Sequence, residues 1–166
     1  MKLFFLLVAA GLAHADTVLD WSYTDASSNG LGTLTLAAGS SPYTVTGITG
    51  IWNGLAIIAL DPVGSSGDND NLLTYPGTPY VDGDGITFTQ SDGELVNIFY
   101  YQPASTPLYG ADYYTSGGSS DGSSSGPLTD FTLSQTTVPE PAEWMLVAGG
   151  LGALALLRRR DFSFHN

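Results

Sequence analysis

Carboxylates carry most of the chemistry this sequence offers, and two short clusters concentrate them: Asp68-Asn69-Asp70-Asn71 and Asp82-Gly83-Asp84-Gly85. Oxygen ligands on Gly-rich loops suit a hard cation such as Ca²⁺. Asp68, Asp70, Asp82 and Asp84 are therefore the candidate metal ligands. Neither cluster fits the Asp-x-Asp-x-Asp-Gly loop with its distal Glu. The same residue types also make ordinary turns, because Asp, Asn and Gly supply the backbone angles that turns need. Paired carboxylates can hydrolyse a glycosidic bond, and Glu94, the first Glu of the chain, stands two residues from Asp92. A solvated hairpin turn accounts for that pair more simply. The third resource is aromatic. Tyr109, Tyr113 and Tyr114 lie in the irregular, Tyr-rich stretch 103–115, where exposed rings could stack on sugar faces while Asp and Asn bond the hydroxyls. Core or surface filling is the alternative use of the same rings.

Composition removes most other chemistries. All four Lys and Arg are Lys2, Arg158, Arg159 and Arg160, both His are His14 and His165, and there is no Cys. Residues 16–138 hold 13 of the 16 acidic residues, all but Glu140, Glu143 and Asp161, giving that part a formal charge of about −13. Without His, Cys or Lys there is no Ser-His or Cys-His nucleophile pair and no Schiff base. The usual zinc, copper and haem ligands are missing too. Nucleic acid is not an expected partner, since a polyanion would be repelled rather than neutralised. The expectation is a non-catalytic protein with no cofactor, Ca²⁺ being the one ion its side chains suit. A chain without Cys has no disulfide staples, but a stretch of this size can bury a sufficient core without them.

The elements that must position these groups read as strands. Segments 16–23, 31–37, 43–52, 55–60, 72–75, 86–90, 95–102 and 128–135 show period-two alternation or β-rich composition. Asn29-Gly30 and Asn53-Gly54 read as tight turns, and 91–94 as a hairpin connection. The apolar run 55–60 predicts a strand buried on both faces. Stretches 61–71 and 76–85 read as loops, and 116–126, made of Ser, Gly and Asp only, as a flexible loop with no means of packing. About eight short strands without helical periodicity predict an all-β fold, a single antiparallel β-sandwich or jelly-roll-like domain over 16–135.

Both ends read as targeting segments. Lys2, the apolar run 3–12 and Ala13-His14-Ala15 fit a signal peptide over 1–15, cut after Ala15. At the other end, over 136–166, stand Val138-Pro139-Glu140-Pro141, then an uncharged run from Trp144 to Leu157, then Arg158, Arg159 and Arg160. A helix over that run would be roughly 21 Å long, short of the ~30 Å hydrocarbon core, and the arginines would hold its end in the cytoplasm. This order resembles the PEP-CTERM sorting signal of Gram-negative bacteria. The segments around Tyr43, Asp70 and Tyr80 are similar to a recurring type of PEP-CTERM cargo, which bears on fold and not on mechanism. The resemblance implies export by signal peptidase across the inner membrane, a transient membrane anchor through a short transmembrane helix, and cleavage near Pro139-Glu140-Pro141 by an exosortase-type enzyme. It also implies a fate at the cell surface or in a biofilm's exopolysaccharide matrix, with extracellular polysaccharide as the partner that location offers.

Overall fold

The structure is a computed structural model that describes residues 16–101, 108–115, 120–125 and 130–136. The chain divides into two compact units, Met1–Thr136 and Thr137–Asn166, and all described residues belong to the first. Signal-peptide positions Ala13 and Ala15 lie outside the described residues, as do Val138 to Pro141, Trp144, Leu157 and Arg158 to Arg160. Among the described residues no helix is long and apolar enough to cross a membrane.

Ten strands occur among the described residues: β1 (Thr17–Thr24), β2 (Asn29–Leu36), β3 (Tyr43–Trp52), β4 (Leu55–Leu60), β5 (Leu72–Leu73), β6 (Ile86–Gln90), β7 (Leu95–Tyr101), β8 (Leu108–Tyr114), β9 (Ser120–Ser125) and β10 (Asp130–Gln135). They form one antiparallel sheet in the order β10-β1-β2-β3-β4-β6-β7-β8-β9, with β5 added to β3. The sheet curls into a half-barrel, a sandwich-like all-β fold. The register of β1 on β2 places Leu19, Trp21 and Tyr23 on one face and Asp20, Ser22 and Thr24 on the other. The inner rows of the two halves meet: Trp52 lies edge-on to Phe88 at 5.6 Å, and Tyr109 of β8 meets Phe131 of β10 at 5.3 Å. Strands near opposite ends of the sheet path thus share one core, which is why burial can supply most of the stability without disulfides.

Close approach explains one glycine. A Cβ on Gly30 would stand 2.5 Å from Trp52 Cε3 and 2.9 Å from Trp21 Cη2, so the two indoles, with centroids 6.4 Å apart, occupy the space a side chain would need. Gly30 is therefore a strand residue paired with Tyr23, not the turn that Asn29-Gly30 suggests. The turn lies one step earlier. There Asp25 Oδ1 accepts from Ser27 N and Ser28 N at 2.7 and 2.6 Å. Asn53-Gly54, by contrast, makes the expected hairpin, with both residues at positive φ and Trp52 opposite Leu55.

Three further expectations need correction. Segment 55–60 is not buried on both faces: Ile57 is buried, whereas Ile58 is 62% and Leu55 36% exposed. An apolar run cannot reveal that the outer face of β4 is left uncovered. Within 103–115, the segment Leu108–Tyr114 is a strand rather than irregular, because β8 pairs with β7 from Tyr101↔Leu108 to Leu95↔Tyr114. Within 116–126, the segment Ser120–Ser125 is a strand, since backbone pairing with β8 needs no apolar side chain.

Candidate functional site

The two Asp/Asn/Gly stretches form one layer over the outer face of β6 and β7. Beneath it lie polar side chains that the sheet alone would leave unsatisfied: Thr87, Asn97 and the loop's own Asn69 and Asn71 are all 3% exposed or less. Buried polar groups persist when they are hydrogen-bonded, and here amides supply the bonds. Asn69 Oδ1 accepts from Ser65 N at 2.9 Å and Ser66 N at 3.2 Å. Asn69 Nδ2 donates to Asn71 Oδ1 at 3.0 Å, and Asn71 Oδ1 also accepts from Thr87 N at 3.2 Å. Asn71 Nδ2 donates to Asp61 O at 2.8 Å, and Asn97 Nδ2 to Asp84 O at 2.9 Å. These residues hold 61–85 as a fixed layer rather than a loose loop. In the sequence Asn69 and Asn71 look like turn formers, and Thr87 and Asn97 like ordinary strand residues. The one usable signal was Asn97, a lone amide between Val96 and Ile98 in an apolar strand.

The amide layer brings three carboxylates together. Asn71 N donates to Gly85 O at 3.0 Å, and so Asp70 arrives beside the turn at Asp82. Carboxylate oxygens of Asp70, Asp82 and Asp84 all lie within 4.8 Å of one another, Asp70 half-buried and the other two exposed. Each is also pinned or placed by its own turn. Asp70 Oδ1 accepts from Leu72 N at 2.9 Å, and Asp82 Oδ1 accepts from Asp84 N at 3.0 Å and Gly85 N at 3.2 Å. Burial above all, then the charges of Asp82 and Asp84, raises the Asp70 carboxyl above the ordinary Asp range. Two oxygens bound at about 2.4 Å to one Ca²⁺ stand at most about 4.8 Å apart, so the trio is compatible with a shared ion. Three carboxylates would leave the rest of a six- to eight-oxygen shell to other oxygens. Asp68 does not join them. It sits exposed at φ 58, and its charge is felt at Tyr114 instead.

No protein-family model, curated protein or solved structure matches the chain.

The tyrosines expected on a surface loop are structural. Tyr109 is 8% exposed, stacks on Tyr80 with centroids 6.3 Å apart, and accepts from Tyr80 N at 2.9 Å through its hydroxyl. Burial raises its phenol above the usual range. The Tyr113 hydroxyl shares a hydrogen bond with Ser28 Oγ and accepts from Trp52 Nε1 at 3.2 Å. Tyr114, one residue on and therefore on the opposite face, donates to Asp112 Oδ2 at 3.4 Å. A Cβ on Gly67 would lie 2.6 Å from its hydroxyl, so this ring closes against the amide-held layer. The reading of Tyr109, Tyr113 and Tyr114 as loop stacking residues is thus corrected. Alternation along β8 sends two of them inward and one under a loop.

Asp92 and Glu94 form a turn. Asp92 Oδ1 accepts from Glu94 N at 3.1 Å, and Glu94 Oε2 accepts from Gln90 Nε2 at 3.1 Å. Each carboxylate thus accepts a hydrogen bond that helps close the β6–β7 hairpin.

Proposed function

We propose that this chain is an exported, non-catalytic protein of the cell surface or exopolysaccharide matrix, sorted through Pro139-Glu140-Pro141, the 144–157 run and Arg158 to Arg160. The observation that carries the reading is the confinement of every Lys, Arg and His to 1–15 and 158–166. The basic residues stand where targeting needs them, and the folded domain has none with which to run base or nucleophile chemistry. The test is the intact mass of the protein recovered from envelope and medium of its native cells. A species beginning at Asp16 and ending near Pro139 to Pro141 is expected. A species retaining Arg158 to Arg160 would mean a plain membrane anchor and end the sorting proposal.

A second reading, a sugar-binding module assisted by Ca²⁺, is supported by the gathering of Asp70, Asp82 and Asp84. Calorimetric titration of the purified chain with Ca²⁺, and of the Asp70→Asn variant beside it, tests that ion directly. Carboxylate hydrolysis ranks below both.

A further inference from the structure

Next to the three carboxylates, but built mainly from other residues, is an open cleft of about 220 Å³ lined by Pro42, Leu72, Thr74, Thr78, Pro79, Val81 and Asp82. Its walls join three chain segments: the β2–β3 connection, β5, and the loop that follows β5. The lining is mixed in a specific way. Leu72, Val81 and the two prolines offer C–H surface. Thr74 and Thr78 are exposed, and neither hydroxyl is committed to a hydrogen bond among the described residues. Asp82 spends Oδ1 on Asp84 N and Gly85 N, which leaves Oδ2 as an acceptor at the edge of the cleft.

We infer that this cleft is a subsite for one neutral hexopyranose unit of a polysaccharide. A pyranose has an apolar C–H face and a rim of hydroxyls, and the lining supplies a partner for each: aliphatic surface, two hydroxyls, and one anionic acceptor for a charge-assisted O–H bond. The volume lies below the roughly 300–1,000 Å³ of pockets that enclose drug-sized ligands, so the cleft holds a single ring and leaves the rest of a chain in solvent. Charge decides the class of sugar. With no cation in residues 16–157, nothing offsets Asp82, and uronic, sulfated or phosphorylated sugars meet repulsion. The inference rests on the sugar-binding reading but needs no metal ion.

The test is saturation-transfer NMR on the full chain in EDTA, with methyl glucoside, galactoside and mannoside as probes and glucuronate as the charged comparison. At least one neutral glycoside is expected to bind, with glucuronate at least tenfold weaker. Thr78→Trp, placed at the exposed rim to fill the cleft, is expected to abolish the signal. Asp82→Asn keeps Oδ1 for its turn, replaces the free acceptor by a donor, and is expected to weaken binding about tenfold. Thr74→Trp is the second filling variant, used if the melting temperature shows that Thr78→Trp has disturbed folding. Binding that survives both tryptophan variants overturns the cleft while leaving the sugar-binding reading in place. No binding of any neutral glycoside in EDTA overturns the cleft, and no binding when the series is repeated in 1 mM Ca²⁺ overturns the sugar-binding reading as well. Neither result touches the sorting proposal, which the intact mass decides.

Discussion

Replacing Asp70 with Asn should make the domain more stable, which is unusual for a buried-side polar change. The isosteric amide keeps Oδ1 for Leu72 N and removes one charge from a trio whose oxygens lie within 4.8 Å of one another. At that distance in bulk water each like-charge pair costs about 0.9 kcal/mol. Screening at 0.15 M salt, with its ~8 Å Debye length, cuts this to about 0.5 kcal/mol, and solvent exposure of Asp82 and Asp84 keeps the aqueous limit appropriate. Two of three pairs vanish, so the gain is about 1 kcal/mol at 0.15 M salt and about 1.5 kcal/mol at 10 mM. For a domain of this size that raises Tm by about 4 °C and about 6 °C respectively. Relief of Asp70's burial acts in the same direction. The assay is thermal unfolding followed by circular dichroism, in EDTA, at both salt concentrations. A Tm that falls, or a gain that does not shrink with salt, would refute the electrostatic reasoning. Repeating the melts in 1 mM Ca²⁺ separates the second effect. A site with Kd in the 10⁻⁴–10⁻³ M range of extracellular modules would raise the wild-type Tm by about 2–6 °C and leave the variant unmoved.

Three other outcomes follow from the same geometry. Burial raises the carboxyls of Asp70 and Asp112, so the folded state binds protons more readily than the unfolded chain, and stability should rise as pH falls from 7 toward about 4.5. A melting series in which stability falls steadily over that window would contradict it. Asn71→Ala strips the acceptor from Thr87 N and a donor from Asp61 O in a buried layer, while Asn69 Nδ2 keeps Pro62 O, which should cost about 2–6 kcal/mol by urea denaturation at a rate of 1–3 kcal/mol per orphaned group; a loss under 1 kcal/mol would mean water enters freely. Gly30→Ala drives a methyl into Trp52 and Trp21 and should cost about 1–3 kcal/mol, with a changed near-ultraviolet indole signal; an unchanged midpoint would show that the indoles can move aside.

The parts of this fold legible in the sequence were those where side chains alternate with solvent on one face. Leu19, Trp21 and Tyr23 against Val18, Asp20 and Ser22 marked β1 directly, and Asn53-Gly54 marked its hairpin. What hid was everything decided by backbone or by distant contact. β9 is Ser, Gly and Asp, and only its pairing with β8 makes it a strand. β8 carries tyrosines on both faces, so no polar alternation marked it. β4 is apolar throughout, and whether its outer face is covered depends on what the rest of the fold packs against it. The candidate carboxylates were found as residue types, but their grouping was not. Asp70 joins Asp82 and Asp84 because Asn71 ties the chain to Gly85, while Asp68, two residues earlier at positive φ, turns elsewhere. The amides that do the tying look in sequence like any other loop residues.

Among the described residues, β9 and β10 each have only one strand beside them, so each leaves a row of backbone donors and acceptors open. Open edges invite a second chain to pair with them. Here each approaching copy brings a domain with 13 acidic residues and no basic one, and the repulsion reaches about 30 Å in dilute salt but only about 8 Å at physiological strength. The same charge therefore sets the spacing between neighbouring copies of the domain in concentrated solution. That spacing tightens as the ionic strength of the surroundings rises.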